Sequence, residues 1–139
     1  MREEVNKGVA RETYIEQRPW GKFEQFTHDE STTVKILSIN SQETLSLQYH
    51  RHREEFWKII SGNALVTIGD ITCQADEEDE FFIAKGQKHR IETEGCSVKV
   101  LEISFGNFDE NDIVRLKDKY KRSKDLSRKL KNENPKAKS

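Results

Sequence analysis

A chain of 139 residues has room for one closed core and too little for two ordinary domains. Apolar residues make up 33% and charged residues 35%, so the surface must be heavily ionic. With 24 Lys and Arg against 25 Asp and Glu, net charge gives no case for a nucleic-acid protein. The charge is unevenly spread, because from Arg115 onward Lys and Arg outnumber the acids. That basic tail could meet an anionic surface, but reads more simply as a solvated, partly disordered end. No apolar run approaches the roughly 18 residues that a membrane span needs. The charged start, MREEVNKGVARETYIE, has no apolar signal region. A cytoplasmic protein with no membrane partner is expected. Cys73 and Cys96 lie apart, without C-x-x-C spacing, and read as free thiols.

Residues 1–17 carry few apolar groups. They read as a loose arm, or as an edge strand lent to a partner. Arg18-Pro19-Trp20-Gly21 brackets a large aromatic between Pro and Gly and opens the domain. Strand signals follow over Thr32–Ile39 and Leu45–His50. In the second, Leu45, Leu47 and Tyr49 should face one way, and Ser46, Gln48 and His50 the other. Phe56–Ile60 and Ala64–Ile68 are joined by Ser61-Gly62-Asn63, a hairpin signal. Ile71–Gln74, Glu80–Ile83, His89–Glu92 and Ser97–Phe105 complete the run. Turns recurring about every 8–12 residues predict an all-β sandwich or barrel. Asp109–Lys131 alone shows helical spacing, through Ile113, Leu116 and Tyr120, then Leu126 and Leu130. The domain is taken as 18–122, followed by a basic tail over 123–139.

Within LSLQYHRHREEFWKIISG, residues 45–62, Gln48, His50 and Glu55 are spaced Q-x-H-x4-E. Gln48 and His50 share a strand face, and Glu55 can swing back toward it from the next strand. His89, in AKGQKH, would arrive from a distant strand. An amide oxygen, two imidazoles and a carboxylate suit a borderline divalent cation such as zinc. A single such histidine reads best as an ordinary polar residue on a solvated strand. The four together, beside Gly86-x2-His89, read as a metal site. His52 shares the strand register and is placed outside the ligand shell or toward substrate. His28 sits in a turn-like stretch and reads as exposed.

The spacing Gln48-x-His50-x4-Glu55-x6-Gly62, with Gly86-x2-His89, resembles the two metal motifs of the cupin superfamily. RPWG at Arg18–Gly21, VKI at Val34–Ile36, the run from Leu45 to Trp57, KG-x2-HR at Lys85–Arg90 and NDIVRLKDKY-x-R from Asn111 to Arg122 resemble type II phosphomannose isomerase. Ala84 stands where such cupins usually have Pro, and Ser104 where they tend to have Gln. In that family the domain usually follows a mannose-1-phosphate guanylyltransferase domain. No Gly-rich nucleotide-binding loop occurs in this sequence, so nucleotidyl transfer is not expected.

The resemblance implies a cupin-type double-stranded β-helix, or jelly roll, with a helical or extended C-terminal tail. It implies isomerisation of mannose 6-phosphate to fructose 6-phosphate through a cis-enediol, in the supply of GDP-mannose. Its chemistry needs enediolate stabilisation, a proton shuttle and a grip on the phosphate. The metal, most simply Zn2+, is assigned to Gln48, His50, Glu55 and His89. Lys35, Arg53, Arg90 and Arg115 are the candidate phosphate or hydroxyl contacts. The base is assigned to His52, with Glu102 and Lys35 as further catalytic candidates. Trp57 is read as pocket wall or core. The alternatives are a non-catalytic sugar-phosphate-binding cupin, or another metal-cupin enzyme such as an iron oxygenase. A homodimer is expected, burying the apolar face of Leu45, Leu47 and Tyr49.

Overall fold

The computed structural model describes residues 11–117. They form strands throughout, with no helix among the described residues. None is therefore long and apolar enough to cross a membrane. A hairpin of β1 (Tyr14–Arg18) and β2 (Gly21–Gln25) comes first. Two larger antiparallel sheets follow. One has four strands, in the order β3 (Thr32–Ile39), β10 (Val98–Phe105), β5 (Glu54–Ser61) and β8 (Glu80–Ile83). The other has five, in the order β11 (Val114–Lys117), β4 (Leu47–Tyr49), β9 (His89–Glu92), β6 (Ala64–Ile68) and β7 (Ile71–Ala75). The all-β jelly-roll expectation holds.

Period-two alternation decides which face of each strand goes inside. On β6, Ala64, Val66 and Ile68 are buried while Leu65 and Thr67 are only half-buried. On β5, Trp57 and Ile59 join them in the core between the sheets, together with Ile39, Phe81, Ile83, Ile91, Val98 and Val100. The opposite face of the four-stranded sheet carries a second cluster, Phe56, Ile103 and Phe105, with Phe26 and Leu101 packed on it. Phe26 follows β2 directly, so the β1–β2 hairpin is held against that outer face. Lys58 pins it further, reaching Glu24 at 2.7 Å, Glu80 at 3.1 Å and Glu78 at 3.2 Å. β1 thus pairs within its own chain, across the expected boundary between arm and domain.

The turn between β5 and β6 depends on Gly62. Its φ is +84°, and a Cβ there would collide with the Ser97 carbonyl oxygen.

Two expectations need correction. Helical spacing over 109–131 does not make a helix of the described part. Asp109–Asp112 turns, and Val114–Lys117 is strand β11, paired with the edge of β4. An edge strand offers a row of unpaired N–H and C=O groups, and pairing with them outweighs a weak local periodicity. Residues 118–131 of the expected helix lie outside the described residues. The second correction concerns Leu45, which precedes β4 and packs against the core rather than joining an outer patch. Leu47 and Tyr49 remain half-buried.

Candidate metal centre

The site is made where the chain changes sheets. Gln48 lies on β4 in the five-stranded sheet, and His50 follows it. The chain then turns through Arg51–Arg53 and enters β5 in the four-stranded sheet. His50 and Glu55 therefore face each other across the sandwich interior. β9 lies beside β4 in a register that sets His89 opposite Gln48. The three residues His50, Glu55 and His89 are 3%, 1% and 1% exposed. One donor atom from each lies within 4.8 Å of the others. His50 Nε2 is 3.5 Å from Glu55 Oε2, and His89 Nε2 is 3.8 Å from Glu55 Oε1.

Hydrogen bonds set the tautomers. His50 Nδ1–H donates to the Asp112 carbonyl at 2.5 Å, and His89 Nδ1–H donates to the Gln87 carbonyl at 2.9 Å. Each Nε2 then presents a lone pair to the interior, the arrangement typical of metal-bound histidine. Burial lowers the pKa of His50 to about 4, with the Arg53 charge adding to it. Burial also lowers His89 to about 3, followed by the charge of His50. Both rings are therefore neutral at ordinary pH, the form that ligates.

The fit to a metal ion rests on two atoms. Glu55 Oε1 and His89 Nε2 are buried and have no hydrogen-bond partner among the described residues. With Glu55 ionised against Arg53 both are acceptors, and at 3.8 Å they are too far apart to hydrogen-bond each other. Leaving buried polar groups unpaired costs about 1–3 kcal/mol each. A divalent ion at about 2.0–2.2 Å from each donor would satisfy both. Gln48 is buried on the same strand face, and its Oε1 accepts from Ser46 Oγ at 2.6 Å. The second lone pair of that oxygen is the one a fourth ligand would use.

Around this cluster the four-stranded sheet presents a row of side chains. Lys35, Glu102 and Trp57 are cross-strand neighbours on β3, β10 and β5. Trp57 Nε1–H donates to Glu102 Oε2 at 3.3 Å, and the Trp57 ring meets His89 edge-on at 5.4 Å. Trp57 is thus both core and pocket wall. Burial raises the Glu102 pKa to about 7, and the Glu55 charge reinforces the shift. Burial likewise raises Glu55, against the pull of Arg53.

The structure separates the expected cations. Arg53 is 7% exposed and sits in the site, with its Nε–H donating to Glu55 Oε2 at 2.9 Å. Arg115 is the register partner of Gln48, so it shares the inner face, and its charge is felt at His50. Lys35 faces the interior from an edge strand, 4.5 Å from the Phe108 ring and 4.0 Å from Glu110 Oε2. Arg90 is different. It alternates with His89 and Ile91 on β9, points to the outer face, and lies 3.5 Å from Glu92. His52 is exposed, and its backbone N–H donates to Asp112 Oδ2 at 3.0 Å.

Some site residues escaped the sequence reading. Asp112 holds the His50 ring through its carbonyl and the backbone N–H groups of Arg51 and His52 through its carboxylate. It lies 62 residues from His50, and no local pattern links them. Ser46 was legible as a same-face neighbour of Gln48 by alternation, but its hydrogen bond was not. The replacement of the usual Pro by Ala84 also finds a reason here. The Ala84 N–H donates to Gln87 Oε1 at 3.0 Å, a bond that Pro could not make.

Residues 5–118 match the mannose-6-phosphate isomerase C-terminal family. The chain belongs to this family. Among its relatives is mannose-1-phosphate guanylyltransferase 2 of Escherichia coli O157:H7, 36% identical over 124 residues, or 85% of this chain and 26% of that protein. The xanthan biosynthesis protein XanB of Xanthomonas campestris is 36% identical over 108 residues, 76% of this chain and 23% of that protein. The chain thus spans about a quarter of the length of the relatives it matches. A cupin protein from Bacteroides fragilis shares the fold at a TM-score of 0.50 and 22% identity, covering 56% of this chain and 70% of that one. Oxalate decarboxylase from Bacillus subtilis does so at 0.58 and 24%, covering 63% of this chain and 24% of that one. The fold of this family member is therefore that of the cupins.

Proposed function

We propose that the protein is a metal-dependent aldose–ketose isomerase that interconverts mannose 6-phosphate and fructose 6-phosphate, with Zn2+ as the metal. The observation that carries this reading is the pair of unpaired buried acceptors, Glu55 Oε1 and His89 Nε2, in a chain of the mannose-6-phosphate isomerase C-terminal family. His50, Glu55 and His89 would hold the ion, with Gln48 as fourth ligand. When bound, such an ion supplies Lewis-acid stabilisation of enediolate oxygens.

The chain's own residues do the rest. A base must take the proton from C2 of the aldose and return it to C1 of the enediol, while the hydroxyl proton moves between O1 and O2. Glu102 is the best placed of the three catalytic candidates. It is buried beside Trp57 and Glu55, and burial pushes its carboxyl up from the ordinary carboxylate range, toward the range in which a shuttle works best. His52 is exposed and points no described hydrogen bond into the interior. Lys35, Arg53 and Arg115 are the cations on the inner side, and they would grip the phosphate and sugar hydroxyls. Arg90 faces away and takes no part in that grip.

We assign the proposed reaction to the supply of GDP-mannose, a reading that the relatives' name, mannose-1-phosphate guanylyltransferase, supports. We place the enzyme in the cytoplasm as a homodimer. Val34 and Ile36, 57% and 51% exposed on edge strand β3, offer an apolar surface that a second copy would cover. The deciding experiment is turnover of mannose 6-phosphate by zinc-loaded protein, followed through fructose 6-phosphate. No conversion with zinc bound stoichiometrically would leave a sugar-phosphate-binding cupin, and oxygen uptake with iron would make it an oxygenase.

A further inference from the structure

The Arg53 guanidinium has three arms in use. Its Nε–H donates to Glu55 Oε2 at 2.9 Å, and its Nη1–H donates to the Asp109 carbonyl at 3.2 Å. The third arm is unusual. Nη2–H donates to His50 Nε2 at 3.3 Å. His50 Nδ1 is already committed to the Asp112 carbonyl, so Nε2 carries the only ring lone pair. That lone pair is the one a metal ion needs. A ring nitrogen cannot accept a hydrogen bond in its lone pair and coordinate an ion with it at once.

We propose that Arg53 and a divalent ion compete for the His50 Nε2 lone pair, so that metal loading releases the Nη2 arm of Arg53 to an anionic ligand. Three features support this. The bond to be given up is the longest of the three that Arg53 makes. The other two arms keep the guanidinium tethered, and it lies 4.5 Å from the Phe108 ring, so it stays in the site when one arm swings free. Arg53 is also buried, so a released N–H is costly to leave unpaired and favours an incoming anionic oxygen. Metal and anion are then linked through one side chain, each strengthening the binding of the other. Arg53 is in this sense a positioning residue. It opposes the empty-handed binding of metal, and metal in turn prepares it for the anion. The inference rests on the metal site and does not need the isomerase reading.

Zn2+ affinity, read by competition with a chromophoric chelator and without substrate, tests it. Arg53→Gln shortens the side chain, withdraws the guanidinium fork from His50 Nε2 and removes a neighbouring positive charge, and should bind Zn2+ about ten-fold more tightly than wild type. Arg53→Lys keeps the charge without the fork and should fall between. A folded Arg53→Gln protein with equal or weaker Zn2+ affinity overturns the proposal. The wild-type protein supplies a second readout that needs no substitution. In 15N NMR, rotation about the Arg53 guanidinium bonds should speed up on Zn2+ loading and slow again when inorganic phosphate is added. A guanidinium equally restrained with and without Zn2+ also overturns it. Because neither measurement uses turnover, a chain that lacks isomerase activity would still return a result on Arg53.

Discussion

Glu55 Oε1 and His89 Nε2 approach to 3.8 Å inside the sandwich, and neither has a hydrogen-bond partner among the described residues. They come from different sheets, so the packing of the whole domain holds them there. Two buried acceptors facing each other make sense when a cation lies between them. His89→Ala should therefore lower Zn2+ affinity by more than about 100-fold. Loss of a group that merely supports a ligand costs about 10–100-fold, and a ligand itself should cost more. Isothermal titration with Zn2+ checks this. Affinity within ten-fold of wild type would mean that His89 is not a ligand.

Asp112 is the remote clamp of the same site. Burial would raise its carboxyl pKa, but the N–H groups of Arg51 and His52 outweigh that and lower it. Asp112→Ala should release the turn that aims His50 at the interior. The expected cost is about 1–3 kcal/mol in urea unfolding, with Zn2+ affinity down by about ten-fold. Asp112→Asn should recover part of both, because its oxygen still accepts one N–H.

Arg115 and Arg90 make a matched pair of arginines on opposite faces of the five-stranded sheet. Arg115 shares the inner face with Gln48, whereas Arg90 alternates with His89. If the phosphate is held inside, Arg115→Ala should raise KM for mannose 6-phosphate by at least about ten-fold, the scale of a lost charge-assisted contact. Arg90→Ala should change KM by less than about two-fold, as expected of a surface arginine. Steady-state kinetics on the two variants settle the matter, and equal effects would refute the assignment.

The hairpin clamp should be visible in the pH dependence of stability. Glu80 has its pKa raised to about 7 by burial and by the hydrogen bond to Glu24, against Lys58. For Glu24 burial acts upward too, but hydrogen bonds to Glu80 and Lys58 prevail and hold it at about 2. A raised carboxyl binds its proton more tightly in the folded chain than in the unfolded one. Its contribution is complete below about pH 4.5 and is lost as pH rises through about 7. Glu24 contributes in the opposite sense, and its contribution is lost only as pH falls toward 2. Between these limits the hairpin clamp's own share of the slope comes from Glu80, alongside that of the buried Glu102 and His50 in the site. Glu80→Gln should remove the part of the stability loss between pH 4.5 and 7 that wild type owes to this residue. Urea midpoints across that range, compared between the two proteins, provide the check.

Several strands were readable from the residues alone. Thr32–Ile39, Ala64–Ile68, Glu80–Ile83 and His89–Glu92 have the bounds that alternation and turn residues predict. Alternation also put Gln48 and His50 on the buried side of their segment. Period two is a local property, and one buried face enforces it. The segment after Asp109 went the other way, because a free strand edge is a tertiary opportunity that no local pattern announces.

The sequence by itself determined the all-β class, the family and the three residues that meet at the candidate metal centre, because spacing and residue type survive any arrangement of the strands. Only the tertiary structure decided which cations face the site. Arg115 turns inward and Arg90 outward because of strand register, while Arg53 is drawn onto Glu55 and His50 because both lie across the sandwich from each other. It also decided that Asp112 aims the first histidine. Such contacts join residues about sixty positions apart, and only the closed sandwich brings them to hydrogen-bonding distance.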